Sequence, residues 1–200
     1  MRALTKVTVV LLAGLFFGCA HPIVITPDVS RLERNEVQPI ACNVGYVITD
    51  ADRELAVETP GGGGDKVKYY PYKELDPALF KVFSNVFQRA YSMKSPSDAA
   101  LVKANDIRFI FVPTIKTDSS STGLFTWPPT DFTIELGCKA LGADGTVVWE
   151  RTFTGKGHAE FGEFKTDLPL AAKRASLQAM QAFQQGVNAA PELRAQAGKP

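Results

Sequence analysis

The chain has 200 residues, of which 45% are hydrophobic, and its 22 basic residues nearly balance its 21 acidic residues. This length and apolar content are sufficient for one domain with a buried core. The net charge of +1 argues against nucleic acid or an anionic lipid surface as an electrostatic partner.

Residues 1–18 have the pattern of a cleaved secretion signal. Arg2 and Lys6 form a short basic region, residues 7–17 form a predominantly apolar run, and Gly18 supplies the small residue that precedes a cleavage point. The apolar run has about eleven residues, whereas a stable membrane-spanning helix needs roughly twenty. The pattern therefore favours a signal peptide over a permanent transmembrane anchor.

Cys19 directly follows this segment, which resembles the bacterial lipoprotein signal with Phe16 at the position where leucine is usual. The resemblance implies that Cys19 becomes the first residue of the mature protein and carries acyl chains on its sulfur and amino group. Cleavage after Gly18 removes two basic residues and no acidic residue, and it leaves a net charge of −1. The alternative is an ordinary cleaved signal followed by an unrelated cysteine.

Residues 19–38 are predicted to be a lipidated N-terminus and tether, because prolines and charges interrupt any regular periodicity. A single domain over 39–188 is expected to follow. Its first strand, over 40–48, places alternate apolar residues on one side: Ile40, Cys42, Val44, Tyr46 and Ile48. Residues 189–200 are predicted to be a disordered tail.

Two extended segments, 53–59 and 66–72, flank a glycine-rich turn and predict a β-hairpin. An amphipathic helix is then predicted from Asp76-Pro77, because aspartate is a favoured N-cap and proline fits the first helical turn. The apolar residues of this helix recur at spacings of three and four: Leu79, Val82, Phe83, Val86, Phe87 and Ala90.

The second half of the chain predicts a short helical turn, three strands and a closing helix. The helical turn covers 98–103, and a strand over 107–116 is apolar on both faces, which indicates cover on both sides. Strands 132–140 and 147–153 form an antiparallel hairpin around a glycine-containing turn. The last helix spans 167–187, and small or aromatic residues on one side permit close approach to a sheet: Ala172, Ala175, Ala179, Phe183 and Gly186.

The order of elements predicts an α+β fold in which two helices pack on one face of a mainly antiparallel sheet. Cys42 and Cys138 both occupy apolar positions of their strands and are expected to face the same core. They are a candidate disulfide if the two strands are neighbours and two buried thiols if they are not, because a disulfide needs Cα atoms within about 7 Å. An exported protein permits either state.

No residue pattern indicates an enzyme, a cofactor or a metal site. His158 and Glu160 could supply two ligands from one side of a strand, but the sequence does not indicate a third and a fourth donor. The acidic residues at 50, 52, 54 and 58 are typical of a solvated turn, although paired carboxylates also serve acid–base catalysis. The glycines at 61–64 lack the lysine and the following helix of a phosphate-binding loop.

The segment 118–131 contains a candidate partner-contact loop. After a run of serine and threonine it carries a group of large apolar and proline residues: Leu124, Phe125, Trp127, Pro128 and Pro129. Such residues between two strands either fold back over the end of the core or form an exposed contact patch. Folding back is the commoner arrangement, and exposure would favour contact with a partner or a membrane.

Several short features follow one another along the chain: the Cys19 motif, a strand ending in Val44-Gly45-Tyr46, a tyrosine-rich segment before Asp76-Pro77, the Asp144-Gly145 hairpin and a closing helix rich in alanine and serine. In this combination the chain resembles the YajG-like outer-membrane lipoproteins of Gram-negative bacteria. The resemblance implies an envelope protein and brings no catalytic residues. Ala20 follows the cysteine, where aspartate would imply retention in the inner membrane, so the implied location is the periplasmic face of the outer membrane.

We therefore expect a non-enzymatic lipoprotein that is held at the membrane by its N-terminal lipid and that binds or supports an envelope protein. The alternative is a carrier or sensor of a small envelope molecule, which would use a cavity between the helices and the sheet.

Overall fold

The computed structural model describes residues 20–34, 38–122 and 128–198. Its strands are β1 (Ala20–Pro22), β2 (Ile40–Val47), β3 (Val57–Pro60), β4 (Lys66–Tyr69), β5 (Phe87–Met93), β6 (Ile107–Ser120), β7 (Asp131–Leu141) and β8 (Val147–His158). Its α-helices are α1 (Asp50–Glu54), α2 (Pro71–Val86), α3 (Ala99–Ala104), α4 (Phe161–Phe164), α5 (Leu170–Asn188) and α6 (Pro191–Ala197), and a 3₁₀ turn covers Val29–Arg31.

The strands form two sheets. The larger sheet has five strands in the order β5-β2-β6-β7-β8, and the smaller has three in the order β1-β4-β3. β2 runs parallel to both β5 and β6, whereas β6, β7 and β8 are antiparallel. The predicted α+β class is confirmed, but both sheets are mixed. In the larger sheet, the parallel pairing of β5 with β2 arises because α2 carries the chain from the β3–β4 hairpin back to β5.

The core lies between the larger sheet and the two long helices, α2 and α5, which pack on the same face as predicted. Phe83 of α2 is fully buried at its centre, with its ring 4.7 Å from that of Phe111 on β6 and 5.5 Å from that of Phe183 on α5. The predicted apolar face of α2 is confirmed for Leu79, Val82, Phe83 and Val86, which are all fully buried. Rings at these separations contribute more than their buried area alone.

The bounds of α2 differ from the prediction at both ends. The helix begins at Pro71, whose ring fits the first turn, and Pro77 therefore lies inside it. Asp76 is not an N-cap, because it also lies inside the helix; its carboxylate instead accepts hydrogen bonds of 2.7 Å from both the Tyr46 hydroxyl and the Arg53 guanidinium. At the other end the backbone becomes extended at Phe87, so Phe87 and Ala90 lie on β5, a strand that the spacing pattern did not reveal.

Most of the other predicted elements are confirmed. The β3–β4 hairpin, α3, β6, the β7–β8 hairpin and α5 lie within a few residues of their predicted positions. The exception is the start of the predicted segment 53–59, because residues 50–54 form α1, which begins with a reciprocal capping box between Thr49 and Asp52. The strand β6 is apolar on both faces, as expected, and on the face away from α2 and α5 a second cluster contains Val47, Met93, Ile107 and Ile110.

The prediction of a tether after Cys19 is wrong for residues 20–34, which pack against the domain. β1 pairs with β4 in parallel, and Ile23, Ile25 and Leu32 are buried in the main core. The backbone N–H of Ile25 donates to the Glu74 carboxylate over 2.6 Å, and its carbonyl accepts from the Ser176 hydroxyl over 2.7 Å. Two buried isoleucines and satisfied backbone groups favour docking over a mobile linker.

The predicted disordered tail is also wrong for residues 191–197, which form α6. The side chain of Leu193 is fully buried, and the guanidinium of Arg194 donates to the carbonyl of Asn188. The Gln196 carbonyl accepts two hydrogen bonds from Arg108 on β6. The folded unit therefore extends beyond residue 188, and the buried leucine and the two arginine contacts attach α6 to it. None of the helices among the described residues is both long and apolar enough to cross a bilayer.

Candidate partner-binding surface

Cys42 and Cys138 do not form the candidate disulfide. Both thiols are free and buried, as their apolar positions predicted, but Cys42 lies on β2 and Cys138 on β7, with β6 between them. The two cysteines are therefore separated by two strand spacings of about 4.8 Å each, and together these exceed the distance that a disulfide can bridge. Burial raises the pKa of the Cys42 thiol to about 11 and raises that of Cys138 as well, so both remain protonated at neutral pH.

The candidate contact loop is shorter than its sequence segment, because β6 continues to Ser120 and β7 begins at Asp131. Pro128 and Pro129, the two prolines of the predicted contact group, are buried. The Thr122 N–H donates to the Thr130 hydroxyl over 3.1 Å and closes the base of the loop. Leu124, Phe125 and Trp127 lie outside the described residues, as does Cys19.

A group of charged side chains stands beside this loop base. We call it the loop-base cluster; its members are Asp131, His158, Glu160, Glu163 and Arg174. Asp131 at the start of β7 lies opposite His158 at the end of β8, and their side chains are 2.8 Å apart. The other ring nitrogen of His158 lies 3.0 Å from the Glu160 carboxylate, which follows β8 directly.

Arg174 of α5 attaches this cluster to the helices. Its guanidinium donates to both carboxylate oxygens of Glu163, over 2.7 and 3.0 Å, and to the carbonyl of His158 over 2.7 Å. Glu163 also accepts from the backbone N–H of Glu160, the N-cap residue of α4. A bidentate arginine–carboxylate pair fixes geometry as well as charge. The end of β8, the short helix α4 and α5 are therefore held together at one place.

The electrostatics of the cluster favour the fully charged state. Hydrogen bonds to Glu160 and then to Asp131 raise the pKa of His158 above its ordinary value. The hydrogen bond from His158 lowers the pKa of Asp131, and the Arg174 guanidinium, with the backbone of Glu160, lowers that of Glu163 to about 2. An imidazolium between two carboxylates is stabilised in the same way as any paired charge.

His158 is paired with a carboxylate on each side of its ring. Both ring nitrogens of His158 face carboxylates, so neither is directed at a hydroxyl or thiol from which it could take a proton. Among residues 20–34, 38–122 and 128–198, no group of three or more metal-ligating side chains has the geometry to hold an ion. The cluster provides alternating positive and negative charge at the surface next to the loop.

A carrier would hold its ligand between the helices and the sheet, and there the structure shows close packing of β8 against α5. Gly155 and Gly157 of β8 lie against α5 so closely that a Cβ atom built on Gly157 would overlap the Ala171 carbonyl oxygen. A large surface depression of about 600 Å³ lies elsewhere, and it is lined mainly by polar side chains between the 3₁₀ turn and α5, among them Arg31, Glu33, Gln181 and Gln185. Small-molecule sites are typically lined by apolar side chains, whereas this depression is lined mainly by polar ones.

Comparisons of the fold find distant likenesses. The crystal structure of protein XCC0632 from Xanthomonas campestris, of family DUF330, is 14% identical, with 86% of this chain and 91% of that chain covered and a TM-score of 0.48. The PelC dodecamer from Paraburkholderia phytofirmans gives 12% identity, coverage of 74% and 94%, and a TM-score of 0.40. A candidate lipoprotein from Caulobacter crescentus gives 10%, coverage of 78% and 92%, and a TM-score of 0.36.

No family model and no curated protein matches the sequence. The similar structures include a DUF330 protein and a candidate lipoprotein, and the narrower YajG-like assignment stays a prediction. At these TM-scores and identities the likenesses do not assign a function.

Sequence reasoning found part of the loop-base cluster and missed the rest. It singled out His158 and Glu160 as a His-x-Glu pair, which the structure keeps together. It did not find Asp131, Glu163 or Arg174, whose positions depend on strand register and helix docking. Counting residues back from the Gly142–Gly145 turn would have brought Asp131 within one residue of His158 but not opposite it.

Proposed function

We propose that this protein is a lipoprotein of the Gram-negative outer membrane, of the YajG-like kind, whose non-enzymatic periplasmic domain binds or supports an envelope protein. The lipid on Cys19 supplies membrane affinity that a nearly neutral domain lacks, because acyl chains on both the sulfur and the amino group are sufficient for stable anchoring, whereas a single chain is not. The absence of aspartate at position 20 supports outer-membrane sorting.

One observation carries the proposal: the described chain is already folded at Ala20, the residue after the predicted lipidation site. Ala20 pairs with Lys66 of β4, and His21 lies 3.1 Å from Asp65 in the turn before that strand. A lipid on Cys19 would therefore hold the small sheet close to the bilayer without an intervening linker. Such an attachment restricts orientation, and restricted orientation raises the effective concentration of a surface for a membrane-bound partner.

The first test is where the protein resides. Cys19→Ala removes the acylation site, and we expect this variant in the soluble periplasmic fraction, whereas the wild type sediments with outer membranes. Cys42→Ala is the matched control, because it removes a thiol that is buried in the domain and leaves Cys19 intact. Equal membrane association of wild type and Cys19→Ala would contradict the anchor.

The second test is binding. Affinity capture of the acylated protein from solubilised envelopes should enrich an envelope protein, and the Cys19→Ala variant should enrich it less because the oriented attachment is lost. No enrichment by the anchored wild type would contradict the binding function. Turnover of a small molecule by the purified protein would contradict its non-enzymatic character.

A further inference from the structure

β5 is an outer strand of the larger sheet, and within residues 20–34, 38–122 and 128–198 it pairs only with β2. Its other edge is therefore open along the backbone in this part of the chain. The Met93 carbonyl accepts from the Ile48 N–H on the β2 side over 3.1 Å. Because successive residues of a strand direct their N–H and C=O groups to opposite sides, those of Gln88, Ala90 and Ser92 point away from the sheet. An unpaired edge of this kind is a template for another strand.

A groove of about 290 Å³ follows the same edge. It is lined by Phe80, Ser84, Gln88, Arg89, Ala90 and Tyr91. Phe80 projects from α2 with 48% of its surface exposed. Ala90 packs against the main core, whereas Tyr91 packs against the apolar cluster on the opposite face of the sheet. An added strand would therefore meet apolar surface from Phe80 and Ala90 on one of its faces.

The charge of the groove indicates the chemistry of the occupant. Arg89 is exposed and is the charged residue of the lining. Across the described part of the chain, no carboxylate lies within ion-pair distance of its guanidinium. β5 contains no acidic residue, so pairing of this edge with a second copy of the chain would give Arg89 no opposite charge on that strand. Charge complementarity favours an acidic partner.

We propose that the β5 edge binds an extended, acidic segment of a partner protein as an added strand. One side chain of that segment is apolar and packs against Phe80 and Ala90, and its neighbour in sequence is a carboxylate that faces Arg89. This alternation follows from the strand, because Arg89 and Ala90 lie on opposite faces. The inference rests on the proposed function and specifies where the domain meets its protein partner.

The test uses the acylated protein in detergent micelles and a fluorescein-labelled peptide of alternating valine and glutamate. A peptide of alternating valine and lysine is the comparison. We expect the glutamate peptide to bind about tenfold tighter or better, as judged by fluorescence anisotropy. Its binding should slow the exchange of the amide hydrogens of Gln88, Ala90 and Ser92.

Two variants with matched controls locate the binding. Arg89→Glu should lower the affinity for the glutamate peptide by about fivefold or more. Lys156→Glu makes the same charge change on β8 and should leave this affinity unchanged. Phe80→Ala should lower the affinity for both peptides. Val147→Ala shortens an exposed apolar side chain on β8 and should leave both affinities unchanged. Phe80 and Val147 are 48% and 52% exposed, so neither substitution is expected to prevent folding.

Equal affinity for the two peptides, or full binding by Arg89→Glu, would overturn the inference. A concentration-dependent dimer that Phe80→Ala abolishes would overturn it in favour of a second copy as the occupant. If an envelope protein still co-purifies with the Arg89→Glu and Phe80→Ala variants, the β5 site is wrong while the proposed function stands. If none co-purifies with the wild type, the proposed function fails whatever the peptides do.

Discussion

The two outer strands of the larger sheet, β8 and β5, differ in what covers their free edges. α5 packs closely on one face of β8 at Gly155 and Gly157, and two of its side chains cover the free edge: Gln178 accepts from the Lys156 N–H, and Arg174 donates to the His158 carbonyl. β5 has a groove beside it instead, with the exposed Phe80 and with Arg89, for which the described residues provide no carboxylate within ion-pair distance. Proteins commonly protect strand edges against unwanted pairing. Because the β5 edge is open and has a groove beside it, it is a better candidate for a binding surface than the edge of β8.

The largest expected effect comes from opening the β8–α5 contact. Gly157→Ala places a Cβ atom on the backbone carbonyl of Ala171, which no side-chain rotation can relieve. We expect a loss of about 3 kcal/mol or more in the free energy of unfolding, measured by urea denaturation.

Gly162→Ala on α4 is the matched control, because a Cβ atom there meets nothing within 4 Å. Alanine is the better helix former, so stability should be unchanged or should rise by up to about 1 kcal/mol. Equal effects of the two substitutions would mean that β8 is not closed by α5.

A smaller effect is expected when the side-chain cover of β8 is removed. Gln178→Ala deprives the Lys156 N–H of its partner, and the cost should be about 1 kcal/mol, because water replaces the amide only in part. Gln185→Ala, a substitution of another exposed glutamine on α5, should change stability by less than about 0.5 kcal/mol. Urea unfolding measures the free energy of unfolding of both variants. An equal loss for Gln185→Ala and Gln178→Ala would contradict the role of Gln178 in covering β8.

The loop-base cluster at the end of β8 should make stability depend on pH. The pKa of His158 is raised in the folded state, so its contribution is fully present below the unfolded value of 6.5 and is lost as pH rises through the folded pKa. Glu163 acts in the opposite direction, because its stabilisation is present above the unfolded value of 4.5 and is lost as pH falls towards a folded pKa of about 2.

NMR titration of His158 should therefore give a pKa above 6.5, and Glu160→Gln should lower it. The difference in unfolding free energy between wild type and His158→Gln should be larger at pH 6 than at pH 9. A difference that grows with pH would show that His158 is not stabilised as a cation.

The smallest expected effect concerns the stability of the β5 edge. Phe80→Ala should change the unfolding free energy by no more than about 0.5 kcal/mol, because the side chain is 48% exposed. Val147→Ala on β8 should behave alike. A large loss for Phe80→Ala alone, measured by urea unfolding, would assign Phe80 to the fold and leave the β5 groove without a spare apolar contact.

The parts of the fold that the sequence predicts are those in which local periodicity and packing agree. The β7–β8 hairpin and α5 have regular spacing, so their bounds are nearly correct except at the end of β8, which runs to His158 instead of ending at residue 153. β5 was missed because Phe87 and Ala90 continue the helical spacing of α2, and no glycine or proline marks the change at Phe87. Pairing with β2 decides the structure there, and pairing between distant segments is not visible in local spacing.

The candidate site was predicted less well for the same reason. A register irregularity between Ala140 and Leu141 shifts the β7–β8 pairing by one residue. Counting back from the turn with unbroken pairing would place Asp131 opposite Gly157, whereas the bulge places it opposite His158. The isoleucines at 23 and 25 were similarly overlooked, because two apolar residues beside prolines are too few to indicate docking.

Hydrogen exchange at single amides, measured by NMR on the protein without a partner, tests most directly whether β8 is closed and β5 is open. The Lys156 amide on the outer side of β8 should be protected by Gln178, whereas the Gln88, Ala90 and Ser92 amides on the outer side of β5 should exchange rapidly. Protection of the three β5 amides equal to that of Lys156 would show that the β5 edge is already covered, and it would contradict the account.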